Sequence, residues 1–185
     1  MASIKDIIKQ IVASGVAVVG FSLPGSTETL DEMFESLGAA QSAEEAARIE
    51  ERIATEWSRS GSAAIDLLWQ RGIDALENGD PGAAAEHFTA AIDHAPDFAE
   101  AYNGRATAYF MLDLYGPALD DIRQVLVLNP RHYGAMRGFA IILEEIGEEQ
   151  EALEVIDAIL AINPLMDNIE AARDRLVERL NGVTL

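Results

Sequence analysis

Apolar residues recur every three or four positions through most of the chain, and from Ile65 to Met166 this helical pattern itself repeats every 34 residues. Leu68, Tyr102 and Met136 form one column, and Ala75, Tyr109 and Leu143 lie seven residues further on, on the same helical face. A second helix in each unit carries Phe88, Ile122 and Ile156, followed by Ile92, Leu126 and Leu160. Two further columns hold small residues: Gly72, Ala106 and Ala140 on the first helix, and Ala84, Ala118 and Ala152 on the second. Small side chains at fixed positions let paired helices approach closely. Pro96, Pro130 and Pro164 end the second helices, since proline lacks the amide and clashes with the preceding turn. Gly79, Asp113 and Gly147 mark the turn within each unit. Asn78-Gly79-Asp80-Pro81 reads as a helix stop, an N-cap and a first-turn proline, and Asp97-Phe98-Ala99-Glu100 reads as a capping box.

The flanks extend this all-α pattern. Residues 27–62 predict a helical pair, with Thr29-Leu30-Asp31-Glu32 and Ser42-Ala43-Glu44-Glu45 as capping boxes and Gly38 between the helices. Leu30, Phe34 and Leu37 are apolar in the first, and Ala46, Ile49, Ile53 and Trp57 in the second. The pair is expected to be a degenerate repeat stacked on the first full unit. Residues 167–181 predict a C-terminal helix, with Ile169, Leu176, Val177 and Leu180 available to cover the last apolar face.

Residues 1–26 depart from the helical repeat. Lys5 and Lys9 precede an apolar stretch from Ile11 to Leu23, which ends at Pro24-Gly25-Ser26. The order resembles a secretory signal peptide, and the stretch is shorter than the roughly 20 residues that span a bilayer. Asp6 dilutes the basic start and no Ala-x-Ala site occurs. The alternative is an apolar segment packed on the helices of a cytoplasmic protein.

Charge narrows the partner class. With 32 acidic and 13 basic residues the net charge is −19, which repels nucleic-acid phosphates and anionic membrane. The chain has no cysteine, so disulfides and thiolate chemistry are excluded. Its histidines are His87, His94 and His132; the first two are two turns apart, without a His-Glu-x-x-His motif, and His94 reads as a packing residue because Leu128 and Ile162 occupy its column. No phosphate loop and no nucleophile elbow occurs. No cofactor, metal site or catalytic constellation is expected, and the glutamates from Glu144 to Glu154 read as a solvated face.

The 34-residue unit, its small-residue columns and its terminal prolines resemble the tetratricopeptide-repeat (TPR) family. The resemblance covers residues 65–98, 99–132 and 133–166. It implies a right-handed superhelical solenoid of antiparallel helix pairs with a C-terminal capping helix, similar to short bacterial proteins of this kind, often exported. Arg71 and Arg105 stand where the family is usually aliphatic, and their guanidinium groups are expected to reach solvent over apolar stems. The resemblance also implies that the first helix of each repeat lines a concave groove. Its lining would be Trp69, Ile73, Leu76 and Glu77, then Asn103, Thr107, Phe110 and Met111, then Arg137, Ile141, Glu144 and Glu145. Family members that clamp chaperone C-terminal carboxylates place basic and amide residues where this chain has Trp69, Ile73, Gly134 and Gly138, so that subclass is not expected; only Asn103 and Arg137 are placed to meet a carboxylate.

The functional expectation is a non-catalytic protein-interaction module or scaffold whose groove holds a peptide or helix of a protein partner. The alternative is a structural or assembly subunit that acts through self-association or a fixed complex. Neither nucleic acid nor integral membrane is an expected partner of the mature form. Location follows from the N-terminus, periplasmic or otherwise exported if residues 1–26 are a signal. In that case N-terminal sequencing of protein purified from its native host finds a first residue between Phe21 and Thr27. An intact Met1 or Ala2 in soluble cytoplasmic material would refute export.

Overall fold

The computed structural model describes Lys9 and residues 28–182. The proposed signal or packing segment, Lys9 apart, lies outside the described residues. Among those residues the regular structure is entirely helical: α1 (Leu30–Gly38), α2 (Ala43–Trp57), α3 (Ala63–Glu77), α4 (Pro81–His94), α5 (Ala99–Met111), α6 (Tyr115–Leu128), α7 (Tyr133–Glu145), α8 (Glu149–Ile162) and α9 (Ile169–Gly182). Helices α3/α4, α5/α6 and α7/α8 form antiparallel pairs that stack in sequence, and α9 packs on α8. None of the described helices is long and apolar enough to cross a membrane.

The turn column works as its residues require. Gly79, Asp113 and Gly147 all adopt the left-handed region, with φ of 74°, 59° and 82°. The following amide then reaches back to a carbonyl of the last turn: Asp80 N–H to Ala75 O at 2.9 Å, Leu114 to Tyr109 at 2.9 Å and Glu148 to Leu143 at 2.8 Å. This closure satisfies carbonyls that a helix end leaves open. Asp80 caps α4 by accepting from Ala83 N–H at 3.0 Å, with Pro81 in the first turn. Thr29 and Glu32 complete a capping box on α1. In the second expected box Ser42 accepts from Glu45 N–H, but the Glu45 carboxylate takes the Gln41 amide. The box predicted at Asp97 does not form: Phe98 is the N-cap without a side-chain bond, and Glu100 turns to His132 instead.

The joint between the first two pairs is closed by an aromatic ring. Phe88 is fully buried, and Cβ atoms built on Gly72 and Gly104 would lie 2.5 Å and 2.4 Å from its ring. Both glycines are therefore steric necessities, whatever their cost in helix propensity. Arg105 overturns the expectation of a guanidinium reaching solvent. Its Nε and Nη2 donate to both carboxylate oxygens of Asp121 at 2.8 Å, and Nη1 donates to Thr89 Oγ1 at 3.0 Å. The rings of Tyr102 and Tyr109 flank it, each 5.7 Å from the guanidinium carbon. Asp121 is a nearly buried anion on α6, so the arginine supplies the paired, two-pronged donor that such burial demands. Arg71, with no equivalent acid, is exposed as expected. His94 is exposed rather than packed.

The N-terminal pair also departs from expectation, because it does not stack on the α3/α4 pair. It lies across the loops that join the later pairs, with α1 against α8. Trp57 stacks on His132 at 4.4 Å and an interplanar angle of 19°, and it also meets Tyr133 and Phe34. The Arg131 guanidinium sits 4.1 Å above the Phe34 ring and pairs with Asp31. Asn163 donates to the Glu50 carboxylate, and the Tyr133 hydroxyl donates to Glu50 O at 3.4 Å. The short linker after Trp57 permits this departure. Its Ser60 donates N–H and Oγ–H to Asp66 at 2.9 Å and 2.6 Å, bonds that hold the Asp66 carboxyl below its usual range.

Two outcomes follow from these contacts. Gly104→Ala is expected to destabilise the fold by about 1–3 kcal/mol despite alanine's better helix propensity, because the Phe88 ring is held on its other side by Gly72. Thermal melts measure this, and an unchanged midpoint would mean that the ring can yield. Burial, with Glu50 and Glu100 nearby, pushes the Tyr133 phenol well above the ordinary tyrosine range. The folded-state value exceeds the unfolded one, so this contribution is fully present below about pH 10 and is lost as the pH rises further. Tyr133→Phe should therefore weaken the alkaline loss of near-ultraviolet ellipticity; the same loss in both proteins would contradict the assignment.

Candidate peptide-binding groove

The first helices of the stacked pairs, α3, α5 and α7, carry the predicted lining, but the structure treats its parts differently. Trp69, Ile73 and Leu76 on α3 are half-buried and pack around the fully buried Phe88. Trp69 also meets Phe98 edge-on, with ring centroids 6.5 Å apart. These residues close the first joint. Glu77 and Met111 lie exposed at helix ends.

One joint further along, the same columns leave a cavity of about 210 Å³ between α5 and α7. Asn103, Thr107 and Phe110 form one wall, and Arg137 and Ile141 stand on the other. Gly134, Gly138 and Ala106 contribute no bulk, and Ile122 from α6 lies beneath. The structure thus brings together Asn103, Thr107, Phe110, Arg137 and Ile141, all predicted. Ala106, Ile122, Gly134, Ala135, Gly138 and Ile142 were missed as lining. Their signal was a size difference: Ile122 stands 34 residues after Phe88 and cannot fill the same volume.

Arg137 is one of three arginines without an ion pair among the described residues, with Arg71 and Arg175, and of these it is the one that lines the cavity. Eight of the eleven arginines form ion pairs among the described residues, whereas no carboxylate lies within ion-pair distance of exposed Arg137. Glu144 is not its counter-ion. It binds Arg179 of α9 at 2.5 Å, and Arg179 also binds Glu149 at 3.0 Å. Glu145 remains exposed at the rim. Phe110 is tilted against Tyr115, with centroids 5.8 Å apart, which fixes one wall. Among the described residues, no group of three or more histidines and carboxylates is placed to hold a metal ion.

A sequence profile described as Tetratricopeptide repeat matches residues 70–121 and 114–167. The chain belongs to the tetratricopeptide-repeat family. A TPR repeat-containing protein of Rhizobium etli is 36% identical over 155 residues, which span 84% of this chain and 76% of that relative. Among solved structures, the first TPR of Spaghetti (RPAP3) bound to the HSP90 peptide SRMEEVD has a TM-score of 0.61 at 20% identity, over 63% of this chain and 93% of that one. The TPR2B domain of yeast Sti1 in complex with an Hsp70 peptide has a TM-score of 0.59 at 22% identity, over 64% and 99%. At these identities the likeness is one of fold, a TPR solenoid, and it says nothing about whether the grooves share a ligand.

Proposed function

We propose that this TPR protein is a non-catalytic binding module whose concave groove holds a segment of a partner protein, as an extended peptide or a helix. The observation that carries the reading is the open cavity between α5 and α7, where apolar walls meet an amide and an unpaired cation. An apolar pocket with a few placed polar groups is the usual form of a recognition site. The TPR domains of similar fold that bind HSP90 and Hsp70 peptides support peptide recognition as the class of function. Export, which the N-terminal pattern suggests, would put this groove in the periplasm.

Two groove substitutions test the reading without touching the core. Ile141 is 43% exposed and Arg137 is exposed, so Ile141→Glu with Arg137→Ala should leave the melting temperature close to that of the wild type. Against a partner first captured with the wild-type protein, this double variant should lose about tenfold or more in affinity, as truncation of an interface centre does. A control change on the exposed helical surface, Glu154→Ala, should bind normally. Full affinity in the groove variant would move the site elsewhere on the solenoid.

A further inference from the structure

The first joint provides a measure of what the second one lacks. At the first, the Phe88 ring fills the space over Gly104, and Trp69, Ile73 and Leu76 cover it. Advancing each by 34 residues gives Ile122, Gly138, Asn103, Thr107 and Phe110. Gly138 keeps the absence of a side chain that Gly104 needs for the ring, but no ring is there. The nearest atom to a Cβ built on Gly138 is Ile122 Cδ1 at 3.9 Å, against 2.4 Å from Gly104 to Phe88. Asn103 and Thr107 are too small to cover the opening as Trp69 and Ile73 do. Ile122 is kept short by Ala106, whose methyl group stands where Gly72 leaves room for Phe88.

We propose that the cavity over Gly138 is a socket for one aromatic side chain of the partner segment, and that Arg137 receives a carboxylate next to that side chain. The inference rests on the groove reading above and specifies its ligand. The aromatic is assigned by size and shape, since the equivalent space in the first joint is occupied by the protein's own phenyl ring. The carboxylate is assigned by charge. Arg137 is exposed at the cavity wall and no acid of the described chain neutralises it, although acids outnumber bases by 32 to 13. The surrounding net charge of −19 disfavours further acids on the partner, so the recognised segment carries a single acid beside its aromatic and neutral or basic flanks.

Selection of random twelve-residue displayed peptides on the wild-type protein tests this. The expected outcome is enrichment of sequences with one Phe, Tyr or Trp and an Asp or Glu within a turn of it. Gly138→Leu should then weaken a synthetic enriched peptide by about tenfold or more, while the melting temperature stays level or rises because leucine is the better helix former. Arg137→Glu should weaken the same peptide and favour a version with Lys in place of its acid. Should Gly138→Leu fail to fold, Ala106→Gly with Ile122→Phe and Ile142→Ala fills the socket from beneath by copying the first joint, where Ala108 packs beside Phe88. Peptides that lose binding to Ile141→Glu, yet lack the aromatic–acid pair or bind normally to the filled socket, would overturn this inference and leave the groove reading intact. No enrichment, or binding unaffected by every groove change, would overturn both.

Discussion

Everything in the solenoid depends on how closely its first helices can approach the second helix wedged between them. That distance is set at two glycines and one ring. Phe88 packs into the notch that Gly72 and Gly104 leave, at separations where a methyl group on either would force the ring to shift. Close approach couples α3, α4 and α5 into one body, and the Arg105–Asp121 pair ties α5 to α6 a turn away. A buried ion pair of this sort adds little net stability compared with an apolar substitute, but removing either partner strands a charge. Its contribution here is geometrical: the bidentate contact, with Thr89 as third acceptor, admits only one rotation of α5 relative to α4 and α6.

The N-terminal pair imposes a second constraint from outside the stack. A solenoid of helix pairs is held only by neighbour contacts, so its curvature is soft. Here α1 and α2 bridge from the start of α3 to the end of α8, with Trp57, Phe34 and Arg131 at the crossing. His132 is central to this bridge. Its Nδ1 accepts from Ala135 N–H at 3.0 Å, capping α7, which leaves the ring proton on Nε2 to face Glu100 at 2.7 Å. One imidazole thus joins the cap of α7, the first turn of α5 and the Trp57 face. Because α5 and α7 are the two walls of the cavity, the His132–Glu100 contact ties one wall to the other.

Much of the fold was legible because it is periodic. The 34-residue spacing exposed the helix pairs, and the Gly79, Asp113 and Gly147 column marked turns that prove to share one left-handed geometry. What was not legible came from contacts without a period. Glu50 meets Tyr133 and Asn163 across 83 and 113 residues, and nothing near Trp57 in sequence indicates His132 as its stacking partner. Arg105 was misjudged because the family is usually aliphatic in its column, while its acid lies on the next helix. The candidate groove was half legible for a related reason. Column membership named the first-helix residues, of which Asn103, Thr107, Phe110, Arg137 and Ile141 line the cavity, but Trp69, Ile73 and Leu76 are drawn into packing by a neighbour from another column, Phe88.

This has a consequence for reading repeats of this kind. A helix-face column states which way a side chain faces, and the volume beneath it decides whether that side chain is lining or lid. Over Phe88, large residues on α3 complete a filled joint. Over Ile122, smaller residues on α5 and α7 leave one open, and the same backbone arrangement becomes a cavity. The difference between the two joints includes four substitutions along equivalent columns: Gly72 to Ala106, Phe88 to Ile122, Trp69 to Asn103 and Ile73 to Thr107. The first removes the room for a ring inside the protein, the second removes the ring, and the other two remove its cover. Each alone would cost stability, the first by a clash with the ring and the others by lost packing; together they leave a shaped, solvent-reachable space beside a cation with no counter-ion among the described residues.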